Sequence, residues 1–199
     1  HIGKRYDNPL PKYQAGAKEM ISRWMAGAPN TIPKTPIAIV KNTAQVLRTA
    51  PTSGLRITWL GHSSMLVEID GKRILIDPVF SDRASPWQFF GPERFHAVPL
   101  TLDELPPLDA VVLSHDHYDH LDEATIIALS ERVPKFLVPL GIGAHLEYWG
   151  VSPDRIVELD WWQDTKVAGL VLTATPARHF SGRSLWDANR TLWAGWAIA

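Results

Sequence analysis

Hydrophobic and polar positions divide this chain into two textures. Up to residue 53, prolines at 9, 11, 29, 33, 36 and 51 break the pattern repeatedly. Only Gln14–Ala26 has room for a helix there, with Ile21, Trp24 and Met25 as its apolar stripe. Residues 1–53 therefore read as an N-terminal arm with one short helix, laid over a domain that spans 55–199. Arg56–Leu60, Ser64–Ile69 and Arg73–Ile76 read as strands. Asp70-Gly71 joins the last two as a hairpin turn, because glycine accepts the positive φ of a tight primed turn. Residues 78–107 hold many prolines and aromatics and read as a long loop. Ala110–Leu113 is wholly apolar, which suits a strand buried on both faces. Asp122–Ser130 reads as a helix with Asp122 at its N-cap and Glu123 in the first turn. Phe136–Val138 reads as a strand and Ile142–Trp149 as a short helix. Ile156–Leu159, Leu170–Thr175 and Leu192–Ile198 read as further strands. A strand-rich start followed by alternating strands and helices is a mixed α/β order.

Composition narrows the picture. The chain has 199 residues, 45% of them apolar, enough for one sizeable core in one domain. Twenty basic and 21 acidic side chains leave a formal charge of −1, which argues against a nucleic-acid partner. No cysteine is present, so disulfides, thiolate metal sites and cysteine nucleophiles are excluded. No apolar run approaches the ~20 residues of a membrane-spanning helix. The first residue is His1, and an upstream signal or anchor would not be visible, so the compartment stays open between soluble and peripherally membrane-associated.

The chemistry is concentrated in one segment. Ser114-His115-Asp116-His117-Tyr118-Asp119-His120-Leu121-Asp122 follows the buried strand and precedes a helix. Four ligand-type side chains fall within six residues, spaced H-x-H-x-D-H. Imidazole nitrogen and carboxylate oxygen suit zinc, and also iron or manganese. A strand end holds such a turn rigidly, so His115 and His117 can serve one ion and Asp119 and His120 a second. Asp116 reads as a supporting or exposed group. A further ligand has to come from elsewhere. His179 is the candidate, because it follows the apolar strand Leu170–Thr175 by a short loop; a loop histidine packed on Phe180 is the alternative. His62, in Gly61-His62-Ser63-Ser64, is read as pocket-lining or as a structural histidine, with a ligand role the least supported. His96 and His145 are read as structural or exposed. Trp87, Phe89, Phe90 and Phe95 are read either as a lid packed on the core or as an acyl-chain groove or membrane-facing rim. Trp161, Trp162, Trp186, Trp193 and Trp196 are read as core or pocket-wall residues.

The His115–His120 motif, with Trp59-Leu60-Gly61-His62-Ser63-Ser64 and Ile74-Leu75-Ile76-Asp77-Pro78, resembles the metallo-β-lactamase superfamily. Asp77–Pro86, Gly91-Pro92-Glu93-Arg94-Phe95, Glu158-Leu159-Asp160-Trp161-Trp162 and Thr175-Pro176-Ala177-Arg178-His179 resemble, more narrowly, the N-acyl-phosphatidylethanolamine-hydrolysing phospholipases D. The resemblance spans about Leu55–Ile198. It implies an α/β (α+β) fold, the N-terminal portion of an αββα sandwich. It implies two Zn2+ ions, His115, His117 and His179 on one and Asp119 and His120 on the other. It implies phosphodiester hydrolysis of a phospholipid by a hydroxide held between the ions, with Asp119 orienting the nucleophilic water and His62, Trp87, Phe89 and Phe90 lining the substrate pocket. The family also uses a bridging Asp and a final His from beyond the strand matching Leu192–Ile198. The chain ends at Ala199, so five of seven ligands are expected here, and the chain is expected to be a fragment or, alternatively, a homodimer that completes the site in trans. Two other readings stand beside this one: another dizinc hydrolase, acting on a lactone, thioester or nucleic acid, and an inactive metal-binding module. Members of the former kinds often place glycine soon after the motif; Leu121-Asp122-Glu123 stands here instead.

Overall fold

The structure is a computed structural model that describes residues 4–8, 18–19, 22, 26, 31–40, 43–184 and 186–199. The expected helix Gln14–Ala26 falls largely outside the described residues, including its whole apolar stripe; Lys18, Glu19, Ser22 and Ala26 within it are helical. A one-turn helix, α1 (Thr43–Val46), also forms in the arm, where only Gln14–Ala26 is expected to be helical. Six strands then form one sheet in chain order: β1 (Leu55–Gly61), β2 (Ser64–Ile69), β3 (Lys72–Ile76), β4 (Ala110–Val112), β5 (Phe136–Pro139) and β6 (Ile156–Leu159). The first three pair antiparallel and the rest parallel. Asp70 and Gly71 have φ of +49° and +76°, the primed-turn geometry that the sequence calls for.

The parallel strands are joined by α2 (Glu123–Leu129) and α3 (Gly143–Tyr148). Alternation along β4 explains why its whole sequence is apolar. Val111 faces the helices and packs with Leu113, Leu121, Ile126, Leu129 and Phe136. Ala110 and Val112 face a second sheet and pack with Val67, Ile74, Leu137, Leu170 and Leu172. That sheet holds β7 (Asp164–Val167), β8 (Leu170–Thr175) and β9 (Gly195–Ile198), all antiparallel. Helices, sheet and sheet are thus the layers formed by the described residues. β9 is shorter than the expected strand, because residues 192–194 run as loop and place Trp193, 1% exposed, in the core. β7 is not foreseen: its burial pattern is mostly polar, and only Val167 is buried.

The second sheet covers only part of the first. Leu55, Ile57 and Trp59, on the same face as Val67, are about half exposed. Asp122 is the N-cap residue of α2, as expected, but its carboxylate makes no capping bond to the helix backbone. It accepts hydrogen bonds from the Phe80 and Ser81 amides and from the Ser81 and Thr125 hydroxyls, and so pins the start of the 78–107 loop to the helix. Of the five tryptophans expected in core or pocket wall, Trp162 and Trp186 are instead exposed. Among the described residues no helix is long and apolar enough to cross a membrane.

Candidate metal centre

The centre forms where strands end. The turn after β4 carries the motif, and the Leu121 amide bonds back to the His117 carbonyl at 2.8 Å, which closes the turn tightly. The loop after β8 brings in His179. His115 Nε2 and His117 Nδ1 are 2.9 Å apart, and His179 Nε2 lies 3.0 Å from the first and 3.3 Å from the second. Three ring nitrogens thus converge on one point. A zinc ion bonded to imidazoles at about 2.0–2.1 Å sets tetrahedral nitrogens about 3.3 Å apart, so these side chains fit such an ion with small adjustments. Burial pushes the His115 imidazole down to about 2, aided by the neighbouring His120, His117 and His179 rings. Burial also lowers His117 and His179. All three are held as neutral imidazoles, the form that donates a lone pair to a metal.

A second group lies beside the first. His62 Nε2 is 2.9 Å and His120 Nε2 3.8 Å from Asp119 Oδ2. His62, Asp119 and His120 form one cluster of candidate donors, and His115, His117 and His179 the other. The exposed position of His62 comes from the β1–β2 connection, where Gly61 and His62 take φ of +120° and +46° and the Trp59 indole donates to the His62 carbonyl at 2.8 Å. The structure thus sets His62 both in the wall of a groove and against Asp119.

The supporting shell explains which nitrogens face inward. Asp77 is buried, with φ of +41°, a strained backbone conformation at the end of β3. A carboxylate only accepts, so His120 Nδ1–H donates to Asp77 Oδ2 at 2.8 Å, leaving Nε2 with a free lone pair. Asp77 also accepts from the Ser114 amide and hydroxyl at 2.7 and 2.6 Å. With that hydroxyl proton committed, Ser114 Oγ accepts from His115 Nδ1–H at 2.9 Å, which frees His115 Nε2 in turn. One carboxylate therefore sets the tautomers on both sides of the centre. Asp116 is 2% exposed; it accepts from the Gly182 amide at 2.8 Å and the Thr191 hydroxyl at 2.7 Å. Of its two expected roles, supporting or exposed, the geometry is the supporting one.

The five expected ligands, His115, His117, Asp119, His120 and His179, are brought together. Trp87, Phe89 and Phe90 are not: they stand outside the pocket wall, 57%, 83% and 68% exposed, and neither line it nor pack as a lid. The turn at 84–91 carries them outward, since Gly91 approaches the Ser85 side chain too closely for a Cβ and the Arg83 guanidinium clamps the Gly91 carbonyl at 2.8 Å. The groove itself holds about 760 Å³ and is walled by Trp59, Val79, Phe95, His96 and Phe180, with His62, His117 and Asp119 at its metal end. Asp77 and Ser114 were missed as functional residues. Their signal was positional: a carboxylate directly after an apolar strand, and a hydroxyl between a buried strand and the first histidine.

With this geometry in view, comparison with known proteins identifies the class. The chain belongs to the beta-lactamase superfamily domain family, which matches residues 72–199, and the two facing sheets with helices on one side are its metallo-β-lactamase fold. The chain is 59% identical over 148 residues to an uncharacterized protein of Mycobacterium tuberculosis, covering 73% of this chain and 39% of that one. It is 41% identical over 155 residues to N-acyl-phosphatidylethanolamine-hydrolyzing phospholipase D 1 of Caenorhabditis elegans, covering 73% and 44%. Among solved structures, a metallo hydrolase from the archaeon Ignicoccus hospitalis superposes with a TM-score of 0.54 at 25% identity, covering 73% of this chain and 55% of that one. The chain therefore spans about two fifths of the length of these curated relatives.

Proposed function

We propose that this chain carries most of the metal centre of a zinc-dependent phosphodiesterase of phospholipase D type, acting on N-acyl-phosphatidylethanolamine-like phospholipids. The observation that carries the reading is the convergence of His115, His117 and His179 within 3.3 Å, beside Asp119 and His120, at the end of a mainly apolar groove. The Caenorhabditis relative's name supports the substrate class. His115, His117 and His179 would hold one ion and Asp119 and His120 a second, donors that suit zinc and also iron or manganese.

A bound divalent ion supplies Lewis acidity toward a phosphoryl oxygen and lowers the pKa of water to about 7. The chain's own residues do the rest. Asp119 Oδ2, fixed by the His62 imidazole, is placed to accept a proton from a nucleophilic water and orient it. Asp77 and Ser114 keep the inward nitrogens of His120 and His115 unprotonated. Phe95, Trp59 and Phe180 line the groove and offer an apolar wall to acyl chains. The exposed Trp87, Phe89 and Phe90 would meet the bilayer that presents the lipid, since aromatics favour the boundary between apolar and polar phases.

The test is hydrolysis of N-acyl-phosphatidylethanolamine vesicles by the zinc-loaded and the chelator-stripped protein, beside a lactone, a thioester and an RNA. Zinc-dependent release of a phosphomonoester from the lipid alone is expected. Turnover confined to another substrate, or undiminished after stripping, refutes the reading.

A further inference from the structure

Arg183 has no place in the ligand set, yet it connects every loop that carries a ligand. Its Nη1 donates to the Asp116 and Leu121 carbonyls, both at 2.8 Å. Those two carbonyls bracket the turn 117–120, which carries His117, Asp119 and His120. Arg183 itself stands four residues after His179, on the same loop. Its own carbonyl accepts from the Tyr118 hydroxyl at 3.0 Å. The guanidinium carbon lies 4.0 Å from the Tyr118 ring centre and 5.2 Å from that of Trp149, so the side chain is stacked as well as bonded. Asp116 returns the connection through the Gly182 amide and the Thr191 hydroxyl. Two loops from distant parts of the chain are thus interlocked by bonds in both directions.

We propose that Arg183 is a positioning residue that couples the two metal positions, so that filling one favours filling the other. The proposal rests on the two-position metal reading above. An ion at the first position fixes His179 against His115 and His117. Through Gly182 and Arg183 that ordering reaches the Asp116 and Leu121 carbonyls, and with them the orientation of Asp119 and His120. Part of the ordering cost of the second position is then met by the first ion, which is positive cooperativity carried by a contiguous network. Arg183 touches none of the donor atoms, so its effect is on how the ions load.

The experiment is a zinc titration of the metal-stripped full chain, read by native mass spectrometry, with circular dichroism and thermal melting as checks on the fold. Two independent positions at half saturation give about half of the molecules with one ion if they are equal, and more than half if they differ in affinity. The wild type is expected to show empty and doubly loaded chains as the main species, with the singly loaded form well below that share. Arg183→Lys keeps the charge but not the planar fork, and should raise the singly loaded form to about half or more. Tyr118→Phe removes one bond and leaves the stacked ring, and should move the distribution part of the way; it carries the test alone if Arg183→Lys does not fold. A wild type in which singly loaded chains already reach half, or variants that load as the wild type does, overturns the proposal. A wild type that never takes a second ion fails the two-position reading instead, and is told apart by its stoichiometry.

Discussion

Asp77→Asn isolates the carboxylate that sets the tautomers of the centre. Oδ2 accepts from two donors, the Ser114 hydroxyl and His120 Nδ1, and Oδ1 accepts from the Ser114 amide. Asparagine keeps one accepting oxygen and turns the other position into a donor. If the oxygen stays on the Ser114 amide, the amide NH2 faces His120 Nδ1–H, and two donors meet. The cheapest escape is for His120 to move its proton to Nε2, the nitrogen that faces Asp119. A charge-assisted hydrogen bond contributes about 1.5–3 kcal/mol, and each 1.4 kcal/mol is tenfold, so affinity at the second position should fall about 10–100-fold. The first position depends on Asp77 only through Ser114, a neutral hydroxyl bond of about 0.5–1.5 kcal/mol, so it should fall less, by about 2–10-fold. A competition titration against a chromophoric zinc chelator reads both affinities, with circular dichroism to show that the fold is kept. Equal loss at both positions would mean that Asp77 supports the loop as a whole and not the His120 tautomer. No loss at either would refute the reasoning outright.

Three other outcomes follow from single features. Glu68 is 2% exposed and is paired with Arg56 and Arg73, which reach on to the Thr49 and Leu47 carbonyls; Glu68→Gln should cost about 3 kcal/mol in urea unfolding and speed proteolysis at 43–49. In the metal-stripped protein, His115 titrates at about 2 against 6.5 unfolded. The unfolded chain therefore binds a proton that the folded chain refuses. Stability is complete above pH 6.5 and should fall below it by about 1.4 kcal/mol per pH unit from this residue, with His117 and His179 acting in the same direction; a urea midpoint flat from pH 7.5 to 5 contradicts this. Replacing Trp87, Phe89 and Phe90 together with serine should lower binding to sedimented phospholipid vesicles at least about tenfold, since each ring offers about 150–250 Å² at about 25 cal/mol per Å²; unchanged binding would take the membrane away from this turn.

What the sequence made legible, and what it hid, has a physical division. Strand β4 and the motif after it could be read because both signals are local: an apolar run buried on two faces, and donors crowded into one turn. His179 could be read because the same strand-end logic applied to a second apolar run. For Trp87, Phe89 and Phe90 the sequence left lid, groove and rim open, because hydrophobicity alone does not say which way a turn faces; the Arg83 clamp and the close approach at Gly91 turn them outward, which fits only the rim. Asp122 could be read as the N-cap because an acidic residue precedes a helix, but that its carboxylate is claimed by four donors from the 80–81 segment and Thr125 could not. The same holds for Asp77, Asp116 and Arg183, whose partners lie 37–75 residues away. Ligand atoms can be proposed from spacing, whereas the groups that choose their tautomer and hold their loops are fixed only when the chain folds. Any redesign of this centre has therefore to preserve these long-range bonds along with the histidines, since a ligand set transplanted without Asp77 would carry its protons on the wrong nitrogens.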